Sequence, residues 1–170
     1  MESVRLEFLQ LAKDLGALDV VIFEIDDIVF DSRTLIKCMF GCADWGKGHT
    51  CPSRLGSLKP WEYERIFKRY SWGIIIHSHD PQKSQTISYK LESEAFVKGY
   101  YFAFSLSDCV LCKECLGKIG KACAHPKKAR PAFHSVGIDV FKTVQKFGLP
   151  LYTLKDETEQ QNWYSAVFIE

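Results

Sequence analysis

Seven cysteines stand in two clusters, and their spacing reads as metal chemistry. The second cluster is Cys109-Val110-Leu111-Cys112-Lys113-Glu114-Cys115, followed by Cys123. Two cysteines two residues apart can wrap one metal ion or one iron of a cluster, and a third at the same spacing puts three thiolates on one short loop. The run C-x2-C-x2-C opens the bacterial ferredoxin pattern, whose successive thiolates bind different irons of one cubane while a Cys followed by Pro comes from elsewhere. The C-P pair here is Cys51-Pro52, far upstream. It closes the first cluster, Cys38-x3-Cys42-x8-Cys51, where Gly41, Gly46, Gly48 and Pro52 predict a loop. Backbone N–H groups of such a loop can face thiolates and tune them. The spacing is not the radical-SAM arrangement.

The downstream four cysteines could close a tetrathiolate zinc site. In C-x2-C-x2-C, however, the middle cysteine would have to serve both zinc knuckles, which favours iron–sulfur, one or two 4Fe-4S clusters, over zinc. Buried free cysteines are the plain alternative for the first cluster, and three in so glycine-rich a loop argue against it. Seven divides as four plus three. If Cys109, Cys112, Cys115 and Cys123 hold one cluster, then Cys38, Cys42 and Cys51 can hold a second with one iron lacking a protein thiolate, open to a substrate hydroxyl or sulfide. The competing partition borrows one downstream cysteine for the upstream trio and leaves an electron carrier or a single structural cluster. Either way the two loops are expected to converge despite roughly 60 intervening residues.

Around these thiols, His125-Pro126-Lys127-Lys128-Ala129-Arg130-Pro131 forms a proline-bracketed turn with three cations, and cations near a cluster raise its potential. Lys127 and Lys128 individually read as solvated, and His125 as a capping or surface residue before a ligand. His77 and His79 share one side of a strand end, yet Asp80-Pro81 after them reads as a turn. Asp26, Asp27 and His49 carry no assignment. There is no phosphate-cradling glycine motif, no nucleophile elbow and no H-E-x-x-H. The chain therefore names no substrate, and enzyme status stays open.

At 170 residues and 46% hydrophobic, residues 1–170 fit a single cysteine-rich domain with its own core. The odd cysteine count, the lack of any apolar run near ~20 residues, and Glu2 and Arg5 where a signal peptide would be apolar point to a reducing, cytoplasmic setting with no membrane contact. Lys plus Arg is 22 against 21 Asp plus Glu. So even a balance gives no long-range field for nucleic acid, and leaves a redox partner protein as the expected partner.

The elements that must position the thiols follow from periodicity. Val4, Phe8, Leu11 and Leu15 predict a first helix stopped at Gly16. Val20 to Ile25 and Ile28 to Phe30 predict two strands split by a turn. Pro60 opens a helix with Tyr63, Ile66, Phe67 and Tyr70 on one face, and Trp72 to Ile76 read as a strand covered on both sides. A helix through Leu91, Ala95, Gly99, Phe102 and Leu106 delivers the chain to Cys109, and another runs from Val136 to Phe147 before Gly148. Leu151 to Leu154 and Trp163 to Ile169 are strands about a charged, hairpin-like stretch from Lys155 to Asn162. The irregular alternation predicts an α+β fold, a small mixed sheet packed with about four helices.

Cys38-x3-Cys42 with Trp45-Gly46-Lys47 and Thr50-Cys51-Pro52, the Gly99-Tyr100-Tyr101-x-Ala103-Phe104 segment, Cys109-x2-Cys112-x2-Cys115-x7-Cys123-x-His125-Pro126, Ala129-Arg130-Pro131 and Val136-Gly137-Ile138-Asp139-Val140-Phe141 together resemble the cysteine-rich "predicted metal-binding protein" family, a domain of unknown function. The resemblance spans roughly residues 28 to 169. It implies bound metal, iron–sulfur first, and no particular reaction. The chain departs from the pattern at Ser135, where an acidic residue is expected before Val-Gly-Ile-Asp. Three readings follow: an iron–sulfur electron carrier or accessory protein, a small enzyme using an open cluster iron, and a zinc-stapled interaction module.

Overall fold

The computed structural model describes residues 2–156 and 158–170. Helix α1 (Glu2–Asp14) buries Phe8 and Ala12 and stops where Gly16 turns left-handed at φ 90°. Strand β1 (Asp19–Glu24) pairs with β2 (Trp72–Ser78), β2 with β4 (Trp163–Phe168), and β4 with β3 (Phe104–Leu106). The sheet order is β1-β2-β4-β3. Helices packed on a small sheet confirm the α+β class, but every pairing is antiparallel, so the sheet is not mixed. The reason is topological: β2 and β3 run the same way, and β4 inserts between them.

The central strand explains the layering. Ile74, Ile75 and Ile76 are wholly buried, each contributing about 1.5–3 kcal/mol if fully transferred from water. Ile74 and Ile76 pack with Val167 against Phe8 of α1 and with Ile87, Leu91 and Ala95 of α4 (Pro81–Val97). Ile75, Phe23 and Phe168 face the opposite layer, made by Phe67 of α3 (Pro60–Phe67), Val144 of α5 (Val140–Gln145) and the tight turn Phe133–Val136. Gly73 lies so close to the Phe23 ring and the Val167 carbonyl that a Cβ has no room. Both cysteine segments are tied to this framework.

Several predicted elements shift. Asp80 is an N-cap whose carboxylate accepts from the N–H groups of Gln82 and Lys83, with Pro81 in the first turn. Asp80-Pro81 therefore opens α4 ten residues before Leu91 instead of making a plain turn. That helix ends at Val97, and Phe104–Leu106 is an edge strand, because the aromatic run there serves the sheet. The helix expected from Val136 to Phe147 is broken at Gly137, which has φ 88° and whose Cβ position would lie 2.8 Å from Pro60 Cβ. Ile28 to Phe30 reduces to one bridge between Phe30 and Ile138, and Leu151 to Leu154 form no strand. The hairpin-like stretch Lys155 to Asn162 crosses Glu157, which lies outside the described residues.

Candidate metal centre

The upstream thiols are delivered by a helix end and a turn. Helix α2 (Thr34–Gly41) carries Cys38 with 7% exposure, ends at the exposed Cys42 and packs on the turn Phe133–Val136. The segment expected as all loop thus begins inside a helix. Cys51 follows a turn in which its N–H donates to Gly48 O at 3.3 Å. Ser53 Oγ lies 2.8 Å from Cys51 Sγ and accepts the Gly46 N–H at 2.8 Å, so one hydroxyl ties sulfur to loop.

The downstream segment is fastened at both ends. At its start the Val110 N–H donates to Gln85 Oε1 of α4 at 3.0 Å. At its end Arg130 Nε donates to Glu92 Oε2 at 2.8 Å, and Arg130 Nη2 pairs with Glu92 Oε1. Glu92 Oε2 also accepts from Ser105 N at 2.7 Å. Arg130 is thus committed to a largely buried ion pair and is not a free cation beside the thiols. Between the fastenings, the turn Leu116–Ile119 ends at Gly120, left-handed at φ 70°.

All seven cysteines line one cavity of about 250 Å³. Three contacts hold its two walls together. His49 Nε2–H donates to Lys121 O at 2.8 Å, Lys118 Nζ pairs with Asp44 at 3.1 Å, and a Cβ at Gly117 would lie 2.5 Å from Lys47 O. The expected convergence of the two loops is therefore present. Among the described residues, no three His, Cys, Asp or Glu side chains are grouped so as to hold a single ion; the thiols are spread along the cavity wall.

Two of the thiols, one from each segment, are shifted by their surroundings. Burial pushes the Cys38 thiol above its ordinary value, and Cys42 and Cys51 push it further. Desolvation does the same to Cys112, helped by Cys109, Cys115 and Cys123. Cys38 and Cys112 are each affected by cysteines of their own segment. Asp108, next to Cys109, is raised by burial and drawn back by His134, and both line the cavity.

Sequence reasoning passed over Asp108, His134, Ser53 and Gly117. Asp108 and His134 are 26 residues apart in sequence, and a glycine reveals a backbone approach only when its neighbour is known. His125 and His49 also line the cavity. His77 does not: it is buried, donates through Nδ1 to Asp19 at 2.6 Å, sits 2.8 Å from Asn162 Oδ1 and stacks on Tyr164. His79 packs edge-on against it, with ring centroids 5.5 Å apart. Asp27 accepts the Glu24 N–H at 2.9 Å in the turn Ile25–Asp27, which also holds Asp26.

A four-stranded α+β fold whose two cysteine segments meet over a thiol-lined cavity has the donor set of a soft-metal protein. Residues 21–169 match the family described as "Predicted metal-binding protein (DUF2284)", and the chain belongs to that family. No curated protein and no solved structure matches it. Among the described residues, no helix is long and apolar enough to cross a membrane.

Proposed function

We propose that the chain is an iron–sulfur protein of cytoplasmic redox chemistry, working as an electron carrier or accessory protein, with residues 1–170 acting as one domain. The observation that carries this reading is the gathering of seven thiols, three of them at consecutive two-residue gaps, on one cavity. Cys109, Cys112, Cys115 and Cys123 would hold one 4Fe-4S cluster, and Cys38, Cys42 and Cys51 a second centre. Such clusters supply one-electron transfer when bound. The chain's own residues fasten the ligand segments: Gln85 and Glu92 fix the downstream one, and Ser53 steadies Cys51.

The count of three upstream and four downstream cysteines favours a second reading, a small enzyme whose upstream centre accepts an external ligand where a fourth thiolate is missing. Anaerobic purification followed by iron, zinc and acid-labile sulfide analysis tests both. Comparable iron and sulfide with broad visible absorption is the expected result. Stoichiometric zinc in a colourless protein overturns it and leaves a zinc-stapled interaction module.

A further inference from the structure

Charge is distributed very unevenly along this nearly neutral chain. Residues 32–54 and 109–130, the two cysteine segments, hold ten Lys and Arg against two acids, Asp44 and Glu114. The rest of the chain holds twelve against nineteen. A net charge of +1 thus conceals +8 on the cysteine segments and −7 elsewhere. Among the described residues, Arg33, Lys118 and Arg130 pair with carboxylates. Lys37, Lys47, Arg54, Lys113, Lys121, Lys127 and Lys128 are exposed and have no carboxylate partner there. Clusters held by these thiolates keep a net negative charge of a few units, which offsets part of this field and still leaves the two segments positive.

A second concavity adjoins the cysteine cavity. It is an open groove of about 620 Å³ that shares His49, Thr50, Cys123 and Ala129 with it, so Cys123 lies on both. Leu55, Tyr63, Phe104 and Pro126 give the groove apolar walls, and Arg54 lines it too. Leu55 is fully exposed, and Phe40 and Ile119 on the cysteine segments are 83% and 62% exposed. Apolar side chains set among unpaired cations suit a small, transient protein interface steered by charge. A nucleic-acid track needs cations along a continuous groove with stacking faces; here Arg54 is the one Lys or Arg among the described lining residues.

We propose that the groove lined by Arg54 and Cys123, on the cation-rich cysteine segments, docks an acidic one-electron redox protein, placing the partner's cofactor next to the thiol-lined cavity. This rests on the iron–sulfur reading and adds to it the partner's charge and its place of contact. The steering is electrostatic, so it weakens once salt shortens the Debye length from ~10 Å at 0.1 M to ~3 Å at 1 M.

The test uses the protein as purified, with an acidic flavodoxin as probe and a single-stranded 20-mer oligonucleotide as competitor. Flavodoxin binding is measured at 50 mM and 500 mM salt, beside iron and sulfide analysis of the same sample. The expected result is an association rate at least tenfold lower at high salt and a similar loss at low salt in Lys121→Glu/Lys127→Glu/Lys128→Glu. The control Lys13→Glu/Lys90→Glu/Lys155→Glu, changed outside the cysteine segments, should bind like the native protein and show the same iron content. Iron and sulfide present without flavodoxin binding, equal loss in both triple variants, or tighter binding of the oligonucleotide overturns the docking site and leaves the proposed function standing. A sample without iron and sulfide overturns both.

Discussion

His49 Nε2–H donates to the main-chain carbonyl of Lys121 at 2.8 Å, spanning 72 residues of sequence to join the two cysteine segments. The imidazole supports both walls of the cavity, since its own segment carries Cys51 and the carbonyl is two residues before Cys123. Groups that orient ligands in this way typically change metal affinity by about 10–100-fold when removed. His49→Ala should therefore release metal to a chelator at roughly tenfold lower concentration, with the metal-free protein melting within a few degrees of native. Unchanged chelator resistance would show that the hydrogen bond does not hold the site.

Gly117 makes the second contact between the segments, and its position is stricter. A methyl group there would sit 2.5 Å from Lys47 O and 3.3 Å from His49 Cδ2. The obstruction is backbone, so it cannot rotate away, and overpacking of this kind costs about 1–3 kcal/mol. Gly117→Ala should lower the denaturant midpoint and the metal content together. Gly46→Ala is the comparison: its Cβ meets nothing within 4 Å, although φ 82° strains it. If the Gly117 variant retains full metal, the loops do not need this close approach.

The ion pair of Arg130 with Glu92 should matter more to folding than the lysines beside it. Both side chains are mostly buried, at 12% and 14% exposure. Removing the guanidinium leaves a buried carboxylate without its cation, a change worth about 3–5 kcal/mol. Arg130→Ala should show that scale of loss in chemical denaturation, while Lys127→Ala should stay within about 0.5 kcal/mol. Comparable losses in the two variants would contradict the buried-pair account.

Titration of the thiols gives a pH signature whose sign reverses with metal. Cys38 and Cys112 are both raised above the ordinary thiol value of 9.0, Cys38 chiefly by burial and Cys112 by desolvation. A group whose folded pKa lies above its unfolded one gives up stability as pH climbs from the unfolded value through the folded one. The metal-free protein should therefore weaken above pH about 9 relative to Cys38→Ala/Cys112→Ala. Metal binding displaces those protons, so metal affinity should instead rise with pH. Denaturation of chelator-treated protein at pH 8 and 10 checks the first half, and competition with a chelator between pH 6.5 and 8.5 checks the second.

Much of this arrangement was legible in the residues, and the misses have physical causes. The cysteines, the two-sided burial of Trp72 to Ile76 and the first helix follow from local spacing, because each needs only its own neighbours. The start of α4 was hidden because Asp-Pro serves equally as a turn and as a cap with proline in the first helical turn; only the accepted N–H bonds separate the two. Phe104 to Leu106 read as helix because an aromatic run has no period of its own until β4 pairs with it. Arg130 looked like a cation for the thiols, since its partner Glu92 lies 38 residues away. The charge of the cysteine face was concealed by a chain-wide balance near zero.

The odd cysteine count yields the sharpest test of how the thiols are shared. Cys38 is influenced by Cys42 and Cys51, and Cys112 by Cys109, Cys115 and Cys123, so two separate centres should respond separately. Cys112→Ser should remove metal from the four-thiol group and leave the other. Cys51→Ser should do the reverse. With both centres loaded, added cyanide or a small thiol should alter one electron-paramagnetic signal only, because a cubane with four thiolates offers no free position. That signal should be the one Cys51→Ser erases. If added ligand changes neither signal, the enzyme reading falls in favour of electron transfer, and if either substitution abolishes both signals, the thiols serve one shared centre.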